Sequence, residues 1–460
     1  MMTSRITKPV TGLSLLTSSF LIANTAAAQD PSTSDPAAPA SVPNTEAGAA
    51  PAASDAEAAA LAAALSESGG NAADAAAADL DEFALNIYGF ADFTYTNVLN
   101  DFAYGSPYPT FLVGNINLYA GAELGGGWRS LVEFRLLYSP HGSVPPDQLF
   151  LPQPQRVNTT VQDPADYDRP NRWGGVEIER AWLEYTAHPL FTLRMGQWLT
   201  PYGIWNVDHG TPVVIGVRKP FVLGKELFPE RQTGLEAYGS FLTGKTEIGY
   251  DIGLSNGRGP VDSYRDFDNN KAFTGRLFVT TETPAGTVTV GGTVYRGRYT
   301  DRYARFAFNP ATGEGGNEYI STARYEEFSM AGDVRWIWDE LTLQGELIMH
   351  DLAYDDALRP AILGPGPTSY YANHRDVGWY VMGAYRLPWF NIMPFFGGES
   401  DAAGEAFFPD GRAIWGGLNI RPVPRVVLKA QYTQSWFFDG TKVFGDDGIK
   451  AIDLQSAWSF

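Results

Sequence analysis

From Phe83 onward the chain alternates apolar and polar residues with a period of two, the pattern of strands that have two unlike faces. In 85–95 one face reads Leu85, Ile87, Gly89, Ala91, Phe93 and Tyr95, and the other includes Asn86, Asp92 and Thr94. In 128–138 Trp128, Val132, Phe134, Leu136 and Tyr138 oppose Arg129, Glu133 and Arg135. In 327–338 Phe328, Met330, Val334, Trp336 and Trp338 interleave with Glu327, Ser329, Asp333 and Arg335. These segments exceed the roughly 5–6 residues of a typical soluble strand and match the roughly 9–11 tilted residues that cross a bilayer. Sixteen such strands are predicted, starting near Leu85, Thr110, Trp128, Gly174, Leu190, Thr233, Lys245, Lys271, Thr287, Arg324, Leu341, Asp376, Asn391, Gly411, Arg425 and Ile449. The strand at Asn391 is the weakest, because Pro394 has no N–H to give the ladder.

The connections between these strands alternate in length. Short ones fall at 125–127, 188–189, 243–244, 283–286, 339–340, 388–390 and 422–424; long ones fall at 99–109, 139–173, 200–232, 256–270, 300–323, 353–375, 401–410 and 438–448. Short turns at one rim and long loops at the other mark an outer-membrane barrel, whose closure leaves no backbone edge unpaired in lipid. The expected fold is all-β, a 16-stranded antiparallel transmembrane β-barrel over residues 83–460. An even strand count places both barrel ends at the periplasmic rim. The last strand ends in Trp458 and Phe460 on one face, as an interfacial aromatic girdle requires.

The residues before Phe83 follow other rules. Arg5 and Lys8, a short apolar run over 13–23 and Ala26-Ala27-Ala28 form a cleavable signal peptide, expected at 1–28. Residues 29–82 carry ten acids and no Lys or Arg in an Ala/Pro-rich background, too little apolar area to offset the entropy of ordering. They are read as a disordered periplasmic linker. Beyond them the barrel holds 42 acids and 31 bases, a net charge of −11, which argues against a nucleic-acid partner. The chain has no cysteine, so disulfides and thiolate chemistry are excluded.

The block Arg180-Ala181-Trp182-Leu183-Glu184-Tyr185, then Leu193-Arg194-Met195-Gly196-Gln197 and Thr200-Pro201-Tyr202-Gly203, resembles bacterial outer-membrane porins of the phosphate-selective porin O/P type. Ser255-Asn256-Gly257-Arg258-Gly259, Gly275-Arg276-Leu277, Gly417-Leu418-Asn419-Ile420-Arg421-Pro422 before Val427-Leu428-Lys429, and the terminal Phe460 add to the likeness, which runs over 85–460. The resemblance implies a sixteen-stranded barrel, a homotrimer, through which small solutes diffuse. It also implies that the loop after the fifth strand, 200–232, folds inward and sets the constriction. That loop carries Asp208, Glu226 and Glu230 beside Arg218, Lys219, Lys225 and Arg231, a mixed set that favours a transverse field over a single-sign filter. The dense Arg and Lys lining of phosphate-selective members has no counterpart in this acidic domain.

Polar-face positions on the neighbouring strands supply a candidate pore wall: Arg135, Arg180, Trp182, Glu184, Arg194 and Arg276, with Arg335 in the same argument. Two readings stand side by side. The arginines form a basic wall opposite the loop carboxylates, or they form a structural ladder paired locally, for instance Arg135 with Glu133 or Arg180 with Glu184.

Signals for an enzyme are poor. Gly253-Leu254-Ser255-Asn256-Gly257 matches G-x-S-x-G, but a nucleophile elbow needs a strand, a tight turn and a helix, whereas this string runs from a strand into a long loop. No good Ser and His pair stands out for a lipid hydrolase. The histidines, His141, His188, His209, His350 and His374, lack metal spacing. Asp266, Asp268 and Asn270 start like a calcium loop, but Lys271 stands where glycine is required. No catalytic residue, metal or cofactor is expected. The reading is an outer-membrane porin of a Gram-negative bacterium, lipid outside and small hydrophilic solutes or ions inside. Its alternatives are a channel selective for phosphate, a sugar or an organic acid, and a plugged barrel acting as adhesin or structural surface protein.

Overall fold

A computed structural model describes residues 83–100, 109–137, 175–208, 210–224, 227–258, 266, 268–309, 314–362, 369–389, 391–402, 410–438 and 447–460. The signal-peptide and linker expectations, and the whole 139–173 connection, lie outside the described residues. The strands are β1 (Ala84–Val98), β2 (Thr110–Gly125), β3 (Trp128–Leu137), β4 (Gly175–His188), β5 (Phe191–Leu199), β6 (Arg231–Thr243), β7 (Thr246–Ser255), β8 (Ala272–Thr283), β9 (Gly286–Asn309), β10 (Glu314–Trp338) and β11 (Leu341–Tyr354). After a two-stranded sheet of β12 (Ala361–Ile362) and β13 (Ser369–Tyr370) come β14 (His374–Tyr385), β15 (Ile392–Ala402), β16 (Gly411–Val423), β17 (Val426–Phe437) and β18 (Lys450–Ser459). Sixteen of them close an antiparallel barrel in sequence order, with β12 and β13 set aside in one connection. The predicted strand count and order therefore hold.

Closure follows from the chain's last residues. β1 pairs with β18 from Phe90↔Ser459 to Val98↔Ala451, and Gly89 exchanges both backbone bonds with Phe460, at 2.9 and 3.0 Å. A Cβ on residue 89 would meet the Phe460 ring at 2.8 Å, so the seam needs glycine there.

The outer wall is apolar and exposed: Leu235, Leu277, Val334, Val381, Phe396 and Leu454 all point away from the barrel axis. The inner wall is polar and buried, with Asp92, Asn117, Glu133, Glu236, Asp333, Glu346, Glu399 and Asp453 on it. An apolar exterior around a polar interior is the inverse of a soluble protein and places the barrel in a bilayer. Among the described residues no helix is long and apolar enough to cross a membrane; the strands cross it. Stacked Trp336 and Trp338 and the Trp128–Tyr185 pair sit at the short-turn rim, where amphipathic rings favour the lipid–water interface.

Two departures from the sequence pattern have physical causes. The expected loop at 300–323 is mostly strand: β9 and β10 run 24 and 25 residues and stay paired from Thr300↔Arg324 out to Asn309↔Glu314. Beyond the membrane both faces of a hairpin meet water, so period-two alternation is not needed and does not mark it. Pro394 does join β15, paired with Leu418 of β16; the ladder to β14 starts only at Phe395, so its missing N–H costs no bond on that side.

Candidate functional site: a polar passage beside an inward loop

The chain from 200 to 230 turns into the barrel and crosses it. Its apolar residues Tyr202, Trp205, Val222, Leu223, Leu227 and Phe228 pack on Tyr295, Ile348, Tyr380, Phe395 and Trp415 of the far wall, and Phe228 stacks on Tyr202 with centroids 4.4 Å apart. At Gly203, with φ +62°, a Cβ would overlap the Glu346 carboxylate, so this turn into the lumen requires glycine.

Wall side chains hold this loop largely by its main chain. Lys429 Nζ on β17 donates to the carbonyls of Thr211 and Val214 at 2.7 Å and of Gly216 at 3.1 Å. Asn419 donates to Ile215 O at 2.9 Å and Arg421 to Pro212 O at 2.5 Å. Acceptors on the wall take the amides: Glu346 from Trp205 at 2.9 Å, Gln431 from Val217 at 2.7 Å and Glu399 from Phe221 at 2.6 Å. Ser329 of β10 donates to Leu227 O at 2.6 Å and Thr293 of β9 to Pro201 O at 3.1 Å. A loop that carries buried peptide groups needs partners for each of them, and here the barrel supplies many.

The loop charges expected at the constriction separate into three places. Asp208 pairs with Arg335. Arg218 crosses to β18, donating to both Asp453 oxygens at 2.5 and 2.9 Å and to Thr96 at 3.0 Å. Lys219, Glu230 and Arg231 stay together and meet Arg135 and Glu179: Lys219 pairs with Glu230, while Arg231 and Arg135 both pair with Glu179. Lys225 and Glu226 lie outside the described residues.

This last group lines a polar cavity of about 410 Å³ between the loop and the β1–β4 wall, completed by Asn115, Asn117, Asn206, Thr211 and Gln455. Its cations face water, with side chains of Arg135, Arg231 and Lys219 at 35, 23 and 33% exposure, whereas Glu179 is at 3%. The surface offered to a solute is thus more positive than the residue count suggests. Burial would raise the Glu230 pKa, but the charge of Lys219, then those of Arg231 and Arg135, outweighs it and holds the carboxyl below its ordinary 4.5. A depressed pKa means that the carboxylate contributes fully above the ordinary range and is lost as pH falls through its folded value. Reversal potentials in a salt gradient are therefore expected to stay constant from neutral pH to about 5 and to shift toward anions below the usual carboxylate range near 4. Glu230→Gln should abolish that step; an unchanged step would assign it to another carboxylate.

The wall candidates face inward but are mostly buried. Arg180 donates to Glu133 at 2.6 Å. Arg194 lies between the rings of Trp182 and Tyr238, 4.5 and 4.7 Å from their centroids. It reaches Glu184 and Glu236, both at 2.8 Å, and Glu184 also takes Arg129 at 2.6 Å. Arg276 makes a two-pronged contact with Asp333 at 2.8 and 2.9 Å. The ladder's partners differ from the pairs named from sequence: Arg135 takes Glu179 and Arg180 takes Glu133. The cause is a bulge, since Glu133 faces Arg180 while Phe134 faces Ile178, leaving Glu179 as an extra inward residue. Gln197 caps the bulge by donating to the carbonyls of Ile178 and Glu179 at 2.7 and 3.0 Å. Sequence reasoning missed Glu179 for this reason. It also missed Lys429 as an anchor, although a lysine midway along a polar strand face was the available signal.

Cross-strand register also brings together a serine and a histidine that sequence reasoning did not pair. Ser329 and His350 are register partners on β10 and β11, with Oγ and Nδ1 2.8 Å apart. The serine hydroxyl already donates to Leu227 O, so the imidazole donates to it and does not activate it. Ser255, in the G-x-S-x-G string, closes β7 and donates to Gln232 at 2.7 Å. Asp266 pairs with Lys271, and Asp268 accepts from Thr300 at 2.7 Å.

Fold and lumen together define a sixteen-stranded transmembrane β-barrel with a loop folded into its lumen. No protein-family model matches the chain, and no curated protein matches it in sequence. Among solved structures it is similar to an anion-selective porin from Comamonas acidovorans, with a TM-score of 0.52 at 10% identity over 82% of this chain and 100% of that one. It is also similar to the outer membrane channel DcaP of Acinetobacter baumannii, with a TM-score of 0.48 at 14% identity over 83% of this chain and 99% of that one.

Proposed function

We propose that the protein is a non-enzymatic outer-membrane channel for passive diffusion of small hydrophilic solutes and ions, with a modest preference for anions. The observation that carries this reading is the polar cavity beside the inward loop, bordered by the exposed faces of Arg135, Lys219 and Arg231, inside a barrel whose exterior is apolar. Two-sided charge with a positive water-facing surface gives a transverse field and a small sign preference, not a strict filter. Arg180, Glu184, Arg194 and Arg276 act in this reading as the rigid frame behind the passage, and Arg135 as its wall. The extent to which the loop fills the lumen favours a narrow passage, so a channel selective for one small organic anion is the second reading. The assembly proposed is the homotrimer that the porin resemblance implies.

Reconstitution in a planar bilayer tests this. Discrete steps closing in threes, with a reversal potential displaced modestly toward anions, are expected. A conductance blocked by one added solute would promote the selective channel, and silence from a folded barrel would overturn diffusion in favour of a plugged surface protein.

A further inference from the structure

The four side-chain amides that line the cavity beside the inward loop, Asn115, Asn117, Asn206 and Gln455, are all turned the same way. Asn115 Nδ2 donates to Asp92 Oδ2 at 3.0 Å and to Thr211 Oγ1 at 3.3 Å. Asn117 Nδ2 donates to Glu133 at 2.5 Å, and Asn206 Nδ2 to the carbonyls of Thr200 and Glu230 at 2.8 and 3.3 Å. Gln455 Nε2 donates to Thr94 at 3.0 Å and to Asp92 at 3.5 Å. Each amide thus meets at least one carboxylate or carbonyl, which can only accept, so its nitrogen is fixed toward the barrel's own groups. What each has left to offer the cavity is its oxygen. Among the described residues nothing donates to Asn117 Oδ1 or Gln455 Oε1, although both atoms are buried. A buried acceptor without a donor is costly, so a donor brought into this cavity gains more than it would in water.

These acceptors are ordered relative to the cations. Going round the wall, Gln455 stands on β18, Asn115 and Asn117 on β2 and Arg135 on β3, and Asn117 and Arg135 are register partners. Neighbouring strands lie about 4.8 Å apart, so the acceptors begin roughly 5 Å from the arginine and extend to roughly 14 Å. Arg231 and Lys219 stand with Arg135 at the cationic end. The carboxylates behind the amides are already engaged. Asp92 accepts from the Asn115 main chain at 3.0 Å and from Thr211 at 2.8 Å, and Glu133 takes Arg180 at 2.6 Å.

We propose that the cavity recognises polyhydroxylated monocarboxylates of the sugar-acid class, the carboxylate toward Arg135, Arg231 and Lys219 and the hydroxyls toward the amide oxygens. This inference rests on the channel reading above and names the solute for it. A carboxylate matches the guanidinium fork, and each hydroxyl supplies the hydrogen that an amide oxygen lacks. An alkyl acid of the same length displaces water from those oxygens and returns no donor, which loses affinity. A dicarboxylate sets its second anion against a row of acceptors. An ammonium group meets three cations and finds the neighbouring acids occupied.

The test uses the full-length barrel in a planar bilayer, with block of its chloride current titrated by added gluconate, hexanoate, adipate, 6-aminohexanoate, glucitol and inorganic phosphate. Half-block by gluconate is expected at a concentration roughly tenfold below that of every other solute, the effect of one or two net hydrogen bonds. In Asn115→Leu/Gln455→Met the gluconate-to-hexanoate ratio should fall toward one; if that variant does not fold, Gln455→Met alone should lower the ratio about threefold. Equal block of an open wild-type channel by gluconate and hexanoate would overturn the proposal and leave the diffusion channel standing. Glucitol, phosphate or 6-aminohexanoate matching gluconate would overturn it as well. A folded barrel that carries no current would remove the channel reading and this inference together.

Discussion

Lys429→Met is expected to raise single-channel conductance several-fold and to make the open level noisy, while leaving the barrel folded. The side chain is almost fully buried and its ammonium is shared by three loop carbonyls. Methionine keeps the length and apolar stem but donates nothing. Each buried carbonyl left without a partner costs roughly 1–3 kcal/mol, so the stretch around Thr211 to Gly216 gains by moving toward water. The β17 ladders to β16 and β18 are backbone bonds and do not depend on this side chain. Heat-modified gel mobility should therefore match wild type when the conductance does not. An unchanged, quiet conductance would show that Lys429 is not an anchor of the loop.

The second large effect is on stability. Arg194→Met is expected to lower the unfolding free energy by about 3–5 kcal/mol, the usual cost of stripping one partner from a buried ionic cluster. Arg194 serves Glu184 and Glu236 together and fills the gap between Trp182 and Tyr238. Its removal leaves Glu236 buried without its guanidinium, whereas Glu184 retains Arg129. Adding Glu236→Gln should recover part of the loss, because an amide is cheaper than a carboxyl to bury beside Asp251 once the guanidinium is gone. Urea unfolding in lipid vesicles, followed by tryptophan fluorescence, reads both variants. A loss under about 1 kcal/mol would mean that water reaches the cluster and replaces the arginine.

The barrel was readable because lipid enforces one rule on every crossing. Alternation such as Phe328, Met330 and Val334 against Glu327, Ser329 and Asp333 survives only where one face meets hydrocarbon, so it marks the transmembrane length of a strand and stops there. The β9–β10 hairpin continues past that limit, and its outer half was invisible for the same reason that its inner half was plain. The site was half legible. The porin resemblance singled out the inward loop, and with it Arg231, but the partner of Arg231 is Glu179, which period two assigns to the wrong face because a bulge resets the count. Ser329 and His350 are 21 residues apart and meet through strand register alone.

The inward loop is gripped mostly at its peptide groups, by Lys429, Asn419, Gln431, Glu346 and Glu399 projecting from the wall. Its path is thus written in the strands, and its electrical character in its own side chains. The two can be edited apart. In the channel proposed above, exchanging Lys219 or Glu230 for neutral or opposite residues is expected to retune which solutes pass without redrawing the route, which would make the barrel a chassis for new selectivities installed one side chain at a time.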